Sequence, residues 1–347
     1  QEAFAFPVKR ALGYVPSTPL GLPGKAFQGE SFFTAPNPPF GAVFTYYLKD
    51  DLKTRKQKRQ DAEREAEKRG EAIRYPTPDE LRAEAREEEP AVVLTVADPE
   101  GNVVRRLTGP TKAGLHRVAW DLRLPPSTPT SLKPLPEDNP FVEPPRGPLV
   151  VPGAYTVSFA GRVDGVPAPF GSPQRFEVAP LSLASLPAPD RGELLGFQKK
   201  TARLQRAVLG AIEAAQEAQD RLKHVKKALL DTPAADPKLE ADARAIEGRL
   251  DDVLVALRGD EVMRARNEPV PLAIADRVAA IVTGQWTSTS GITGTNREAY
   301  RIAAEAFAGE LEKLRALVEG DLRGLAEAME SAGAPWTPGR VPAWQEE

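Results

Sequence analysis

The stretch AVVLTVADPEGNVVRRL at 91–107 decides the fold of the first half, together with HRVAWDLR (116–123), VPGAYTVSFAG (151–161) and PQRFEV (173–178). Apolar residues in these stretches tend to occupy alternate positions, as a half-buried strand requires. The residues DPEGN at 98–102 predict a turn that joins two of the strands into a hairpin. Short strands punctuated by turns predict an antiparallel β-sandwich.

The second half of the chain predicts helices instead. From Leu194 to Leu229 apolar residues recur at spacings of three and four, which predicts one amphipathic helix of about 35 residues. Asp236-Pro237 opens a second helix, and a third covers roughly 271–282. Thr295 and Glu298 have the spacing of a capping box that starts a last long helix. Four helices of these lengths predict an antiparallel bundle.

A helical excursion is predicted between two strands, over residues 50–89. Residues 50–71 carry charges of both signs at helical spacing. In TPDE (77–80), Thr77 is a predicted N-cap, followed by Pro and then by Glu at the third helical position. The basic run KTRKQKR (53–59) could be taken for a nucleic-acid patch. The acidic residues that follow favour a solvated helix face.

The predicted fold class is therefore α+β and multidomain. An antiparallel β-sandwich of immunoglobulin-like type, with an inserted helical hairpin, precedes an antiparallel helical bundle. We predict four segments: an extended linker that packs on an upstream domain (1–39), the β-sandwich with its insert (40–182), the bundle (190–332) and an aromatic tail that packs back on the protein (333–347).

Composition excludes several kinds of chemistry. The 347 residues have a formal charge of −3, so no strong attraction to nucleic acid is expected. The absence of cysteine excludes disulfides and thiolate sites. The two histidines, His116 and His224, lie in different predicted domains, which argues against a multi-His metal site or a Ser-His-Asp relay. We expect no cofactor, no metal and no membrane span.

Carboxylates are the one class of side chain in this sequence that offers candidates for catalysis. The candidates for an acid and a base are Asp98, Asp121, Asp164 and the pair Asp260-Glu261. Asp98 lies in a turn and Asp121 on the polar side of a strand, so a structural role is the better interpretation. No catalytic residue is predicted.

The remaining candidates for a functional site are two short motifs and three tryptophans. Arg258-Gly259-Asp260 spells a cell-adhesion tripeptide, but its glycine is better explained as a helix end. The loop GITGT (291–295) resembles a phosphate cradle without the Lys-Ser/Thr pair of a P-loop. Trp286, in a predicted Ser/Thr/Gly loop, is either a ligand platform or a core side chain. Together with Trp336 and Trp344 of the tail, Trp286 defines a candidate ligand surface.

Five phrases stand in a recognisable order: NPPFGAVFTYYLKD (37–50), DPEGNVVRRLTGP (98–110), GLHRVAWDLR (114–123), GPLVVPGAYTV (147–157) and GAPWTPGRVPAW (333–344). This order resembles the C-terminal region of large bacterial proteins of the sortilin-like, BNR-repeat class, often labelled glycosyl hydrolases. In that class a long β-propeller precedes an immunoglobulin-like module, similar to the FlgD C-terminal domain, and then a helical region.

The resemblance implies a function, although this sequence departs from the family in one respect. The propeller's Ser-x-Asp-x-Gly-x-Thr-Trp motifs are absent, so no catalytic residue carries over. The chain is expected to be a non-catalytic accessory module of a secreted or periplasmic protein, bracing the upstream β-propeller or binding a protein or glycan partner. Two alternatives stay open: part of a glycoside hydrolase whose carboxylates lie upstream, and a stand-alone adhesin or scaffold.

Overall fold

The chain folds as two compact units, which a computed structural model describes. Unit 1 comprises Gln1–Pro125 and Asp138–Ser185, and unit 2 comprises Pro126–Glu137 and Leu186–Glu347. The described residues are 2–16, 31, 33, 35, 37–136, 139, 142–182 and 186–344. Parts of the predicted linker (17–30) and of the predicted tail (345–347) lie outside them.

Unit 1 is built on two β-sheets. Its strands are β1 (Ala3–Ala5), β2 (Ala11–Gly13), β3 (Ala42–Leu48), β4 (Ala91–Ala97), β5 (Val103–Gly109), β6 (Gly114–Trp120), β7 (Gly153–Val163) and β8 (Val166–Pro180). Over the described residues, one sheet has the order β1-β3-β6 and the other the order β2-β8-β7-β4-β5.

Side chains from both sheets meet in one core. The predicted alternation in β4 is confirmed, because Val92, Leu94 and Val96 are fully buried while their neighbours are half-buried. The ring of Phe44 in β3 packs edge-on against Phe176 in β8, with centroids 5.4 Å apart. The α+β class is thus established, with apolar faces of two sheets sharing one core.

Three features of unit 1 differ from the prediction. The segment predicted as an extended linker supplies β1 and β2, which are too short to leave a pattern in the sequence. β2 pairs in parallel with β8, so the larger sheet is mixed rather than antiparallel. Residues 162–170, for which no strand is predicted, form a hairpin, in which Asp164 and Gly165 both take positive φ (51° and 74°) as a two-residue turn demands.

The predicted helical insert is present as α1 (Arg55–Lys68) and α2 (Pro78–Arg86). Both helices start at complete capping boxes, Thr54 with Gln57 and Thr77 with Glu80. The Thr77 cap is confirmed as predicted. Neither helix contains a buried residue, so caps and ion pairs rather than packing hold them.

Unit 2 is helical. Its helices are α3 (Arg191–Leu230), α4 (Pro237–Arg258), α5 (Glu261–Ala265), α6 (Ile274–Trp286), α7 (Gly294–Arg315) and α8 (Leu322–Ser331), with a π-helical turn (Ala316–Asp321) between α7 and α8. Asp190 and Asp236 accept hydrogen bonds from the first N–H groups of α3 and α4, and the start of α4 at Asp236-Pro237 is as predicted. Among the described residues, no helix is long and apolar enough to span a bilayer.

The apolar stripe of α3 forms the centre of the second core. Val208, Ala215 and Leu222 are fully buried against residues of α4, α7 and α8. The predicted capping box of the last long helix is wrong by two residues, since Thr293 and Asn296 form it. That helix is also interrupted by the π-helical turn, which nothing in its apolar spacing indicates.

Candidate functional site

The three tryptophans proposed as a ligand surface have different environments. Trp286 is the last residue of α6, only 5% exposed, so its inclusion in a surface is wrong. The error arose because α6 continues to residue 286, four residues beyond its predicted end. Trp336 and Trp344 are 60% and 81% exposed. The candidate surface therefore reduces to the segment after α8.

This segment leaves α8 through a glycine. Gly333 has a φ of 71°, and its N–H donates to the carbonyl of Glu330 at 3.1 Å. The N–H of Ala334 donates to the carbonyl of Met329 at 3.0 Å. This pattern ends a helix with a left-handed residue and reverses the chain. Ala334 then joins the core of unit 2, so the segment starts from a buried position.

A tight turn follows at Thr337-Pro338-Gly339-Arg340. The N–H of Arg340 donates to the carbonyl of Thr337 at 3.3 Å, and Gly339 has a φ of 90°. Proline at the second and glycine at the third position are the residues that a type II turn requires. A Cβ on Gly339 would lie 2.5 Å from Nε of Arg221, so α3 also approaches this turn closely.

A largely buried ion pair anchors the segment to α8. The Arg340 side chain is 6% exposed, and its Nη2 lies 2.8 Å from Oε2 of Glu330. The same Nη2 donates to the carbonyl of Ala334 at 3.0 Å. The other oxygen of Glu330, Oε1, accepts from the N–H of Ala343 at 2.9 Å. Glu330 therefore fixes both the turn and the chain that leads to Trp344.

The two indoles project from this anchored segment. The Nε1–H of Trp336 donates to the carbonyl of Arg340 at 2.7 Å, which ties the polar edge of the ring to the turn and leaves much of the ring uncovered. Trp344 directly follows the anchored Ala343. Rigid, exposed tryptophans supply contact area at low entropic cost and are enriched in binding hot spots. The arrangement leaves two largely uncovered indole rings on a segment that is fixed to α8.

The aspartates considered for catalysis each accept hydrogen bonds from other groups. Asp98 accepts from Asn102 in its turn, Asp121 from the N–H of Arg123, Asp164 from Arg55, and Asp260 from the N–H groups of Val262 and Met263. Gly259 ends α4 with a φ of 93°, as predicted, so the adhesion tripeptide is a helix end and a cap. Within the described residues, no group of His, Asp and Glu side chains could hold a metal ion.

A cleft of about 490 Å³ lies between α1 and α2 of unit 1. Most of its charged groups pair with one another, since Arg59 donates to both Glu63 and Glu84, and Arg74 donates to Glu80. The bonds to the two glutamates raise the pKa of Arg59, and the bond from Arg59 lowers the pKa of Glu84. The cleft therefore presents paired charges, in contrast to the uncovered rings of the C-terminal segment.

Comparisons with known proteins add no relative. No family model matches the chain, and no curated protein or solved structure matches it.

Proposed function

We propose that this chain is a non-catalytic accessory module that binds a partner through Trp336 and Trp344. The observation that carries the proposal is the exposure of both rings on a segment anchored by the ion pair of Glu330 with the buried Arg340 side chain. If the segment had no binding role, we would expect these indoles to pack against their own unit. The core of that unit includes Met329 and Ala334, which lie in the same stretch of the sequence. Anchoring them outward favours a binding surface.

The finer architecture belongs to the same proposal. We propose that unit 1 is an immunoglobulin-like sandwich and unit 2 an antiparallel helical bundle. The shared core of the two sheets and the burial of α3 against α4, α7 and α8 support these assignments. Parallel pairing of β2 with β8 makes the sandwich a variant with an additional edge strand.

We further propose that the module belongs to a larger secreted or periplasmic protein with an upstream β-propeller. The resemblance in the phrases at 37–50, 98–110 and 333–344 supports this context. In β1, Ala3 pairs with Leu48 at the end of the three-stranded sheet. Polypeptide preceding residue 2 would enter there, beside the exposed Phe4 and Tyr47. An upstream domain tethered at that point would have a high effective concentration for this face.

The binding role is tested with two probes, an oligosaccharide array and the separately produced upstream region of the gene. We expect one of them to bind the wild-type chain, and the double variant Trp336→Ala/Trp344→Ala to bind about tenfold more weakly or worse. Tyr75→Ala is the matched control, because Tyr75 is an exposed aromatic residue in unit 1.

Two results would contradict the proposal. Equal binding of the double variant and the wild type would show that the indoles are not the surface. Hydrolysis of chromogenic glycosides by this chain, abolished by alanine at one carboxylate, would show that the chain is an enzyme.

A further inference from the structure

The three-stranded sheet of unit 1 has an open edge at β6. Over the described residues its order is β1-β3-β6, so β6 is paired on one side only. The other edge strands are protected in ways that natural sheets use: β1 and β2 have three residues each, and β5 carries two adjacent arginines and pairs with β4 through a shifted register. In contrast, β6 has seven residues, a single arginine and an unbroken register with β3.

The main-chain groups that face this edge follow from the pairing of β3. The N–H of Phe6 donates to the carbonyl of Thr45 at 3.0 Å, so odd-numbered residues of β3 bond to the β1 side. Main-chain groups of successive residues point to opposite edges, so even-numbered residues such as Tyr46 bond to β6, where the residue opposite is His116. The residues of β6 that turn their N–H and C=O groups to the open edge are therefore Leu115, Arg117 and Ala119.

The same three residues have exposed side chains on the outer face of the sheet. Leu115, which is 58% exposed, lies opposite Tyr47, and Tyr47 lies opposite Phe4, so an apolar row crosses the sheet and ends at this edge. Arg117 is the next residue along the same face of β6, and within the described part of the chain its guanidinium makes no ion pair. The edge thus presents free main-chain groups, an apolar side chain and an uncompensated positive charge.

We propose that β6 accepts an extended segment of a partner protein as a fourth strand, with an acidic residue opposite Arg117 and an apolar residue opposite Leu115. Strand addition gains affinity from main-chain hydrogen bonds and specificity from alternate side chains. The acidic residue supplies the countercharge of Arg117, and the apolar residue extends the row that ends at Leu115. The inference goes beyond the proposed function, because this edge belongs to unit 1 and the indoles belong to unit 2.

A second copy of the chain fits this edge less well than an acidic segment does. Antiparallel pairing of β6 with itself about an axis at Arg117 places two guanidinium groups side by side, and like charges directly opposite destabilise a strand pair. Neighbouring registers place Arg117 opposite Leu115 or Ala119, which leaves its charge uncompensated. The charge on the edge therefore selects a partner of opposite charge.

Two labelled synthetic heptapeptides test the proposal by fluorescence anisotropy, with the whole chain at up to about 1 mM. In both peptides threonine occupies one face of the strand, and the other face carries valine, glutamate and valine in the acidic probe or valine, lysine and valine in the basic probe. We expect the acidic probe to bind the wild type at least about threefold more tightly than the basic probe. Arg117→Glu should reverse this preference.

Ala119→Pro tests the location. Because the N–H of Ala119 points to the open edge, proline removes a donor there and leaves the bonds to β3 in place. We expect this variant to bind the acidic probe about tenfold more weakly or worse. The matched control for charge is Arg175→Glu, which changes an exposed arginine of β8 in the other sheet and should keep the preference of the wild type.

Three results would overturn the inference: no binding of either probe to the wild type, equal binding of the two probes, or a preference that Arg117→Glu leaves unchanged. The Arg117→Glu measurement keeps the main chain as it is, so it decides the matter even where Ala119→Pro does not fold. Self-association of the wild type that Ala119→Pro abolishes would overturn the acidic partner in favour of a second copy. None of these results touches the indoles, whose role is judged by the array and the upstream region.

Discussion

At the scale of single residues, Gly41 lies just before β3, where the backbone comes very close to the end of β6. Its φ is 97°, and a Cβ would lie 1.9 Å from the carbonyl oxygen of Trp120. We expect Gly41→Ala to lower the free energy of unfolding of unit 1 by about 2 kcal/mol or more, because both the backbone and the neighbouring carbonyl must move. Chemical denaturation, monitored through hydrogen exchange of the amides of β3, measures this loss of unfolding free energy.

Gly101→Ala separates the two causes. Gly101 also has a positive φ (84°), but none of the described atoms beyond its chain neighbours lies within 4 Å of the position that a Cβ would take. This variant should lower the free energy of unfolding by only about 1 kcal/mol, the cost of placing a side chain on a left-handed backbone. Equal losses in the two variants would show that the contact with Trp120 does not matter.

The second prediction at this scale concerns Glu330. Trypsin should cleave slowly after Arg340 in the wild type, because that side chain is buried against Glu330. Removing one partner of a buried pair leaves the other charge uncompensated. We expect Glu330→Ala to speed cleavage at Arg340 about tenfold or more by releasing the segment. Glu327→Ala, which breaks only the exposed pair with Arg323, should leave the rate unchanged.

At the scale of elements, helix starts were predictable where local chemistry determines them. The caps at Thr77 and Asp236 follow from one side chain bonding to nearby N–H groups, so the sequence carries the whole signal. The cap at Thr293 was missed because Asn296 replaces the expected glutamate. The hairpin at Asp164-Gly165 was not predicted, although Asp-Gly is a strong turn signal.

The helical insert allows a prediction about α1, a helix that no buried residue stabilises. Thr54→Ala removes the capping box of α1, which costs about 1 kcal/mol. Because α1 buries no residue, this loss should appear as local fraying, and hydrogen exchange over 55–68 should become faster while β4 is unaffected. Thr77→Ala is the matched variant and should affect only α2. Uniform destabilisation of unit 1 by Thr54→Ala would contradict this account.

At the scale of the whole molecule, the sequence indicated two classes of structure but only part of the candidate surface. The division into β and helical regions follows from spacings of two and of three to four, which are local patterns. Exposure of a tryptophan depends on tertiary contacts: Trp286 is buried, whereas Trp336 is exposed just before the turn that the ion pair of Arg340 holds in place. Composition alone could not separate these cases.

The two units have separate cores, and unit 1 should respond to alkaline pH through two buried phenols. Burial raises the pKa of Tyr46 and of Tyr155 to about 12. A raised pKa means that folding favours the neutral phenol, so the stabilisation is fully present below about pH 10 and is lost as pH rises through about 12. Each phenol can contribute up to about 2–3 kcal/mol in this window.

Denaturation of unit 1 between about pH 8 and pH 12 measures this loss. We expect Tyr46→Phe to flatten the decline, because the phenylalanine does not ionise, and to lower stability at neutral pH, because the bond from the Tyr46 hydroxyl to the carbonyl of Pro110 (2.6 Å) is lost. Tyr75→Phe changes an exposed ring and should leave the profile as it is in the wild type. An unchanged slope in Tyr46→Phe would mean that ionisation of Tyr46 does not destabilise unit 1 at high pH.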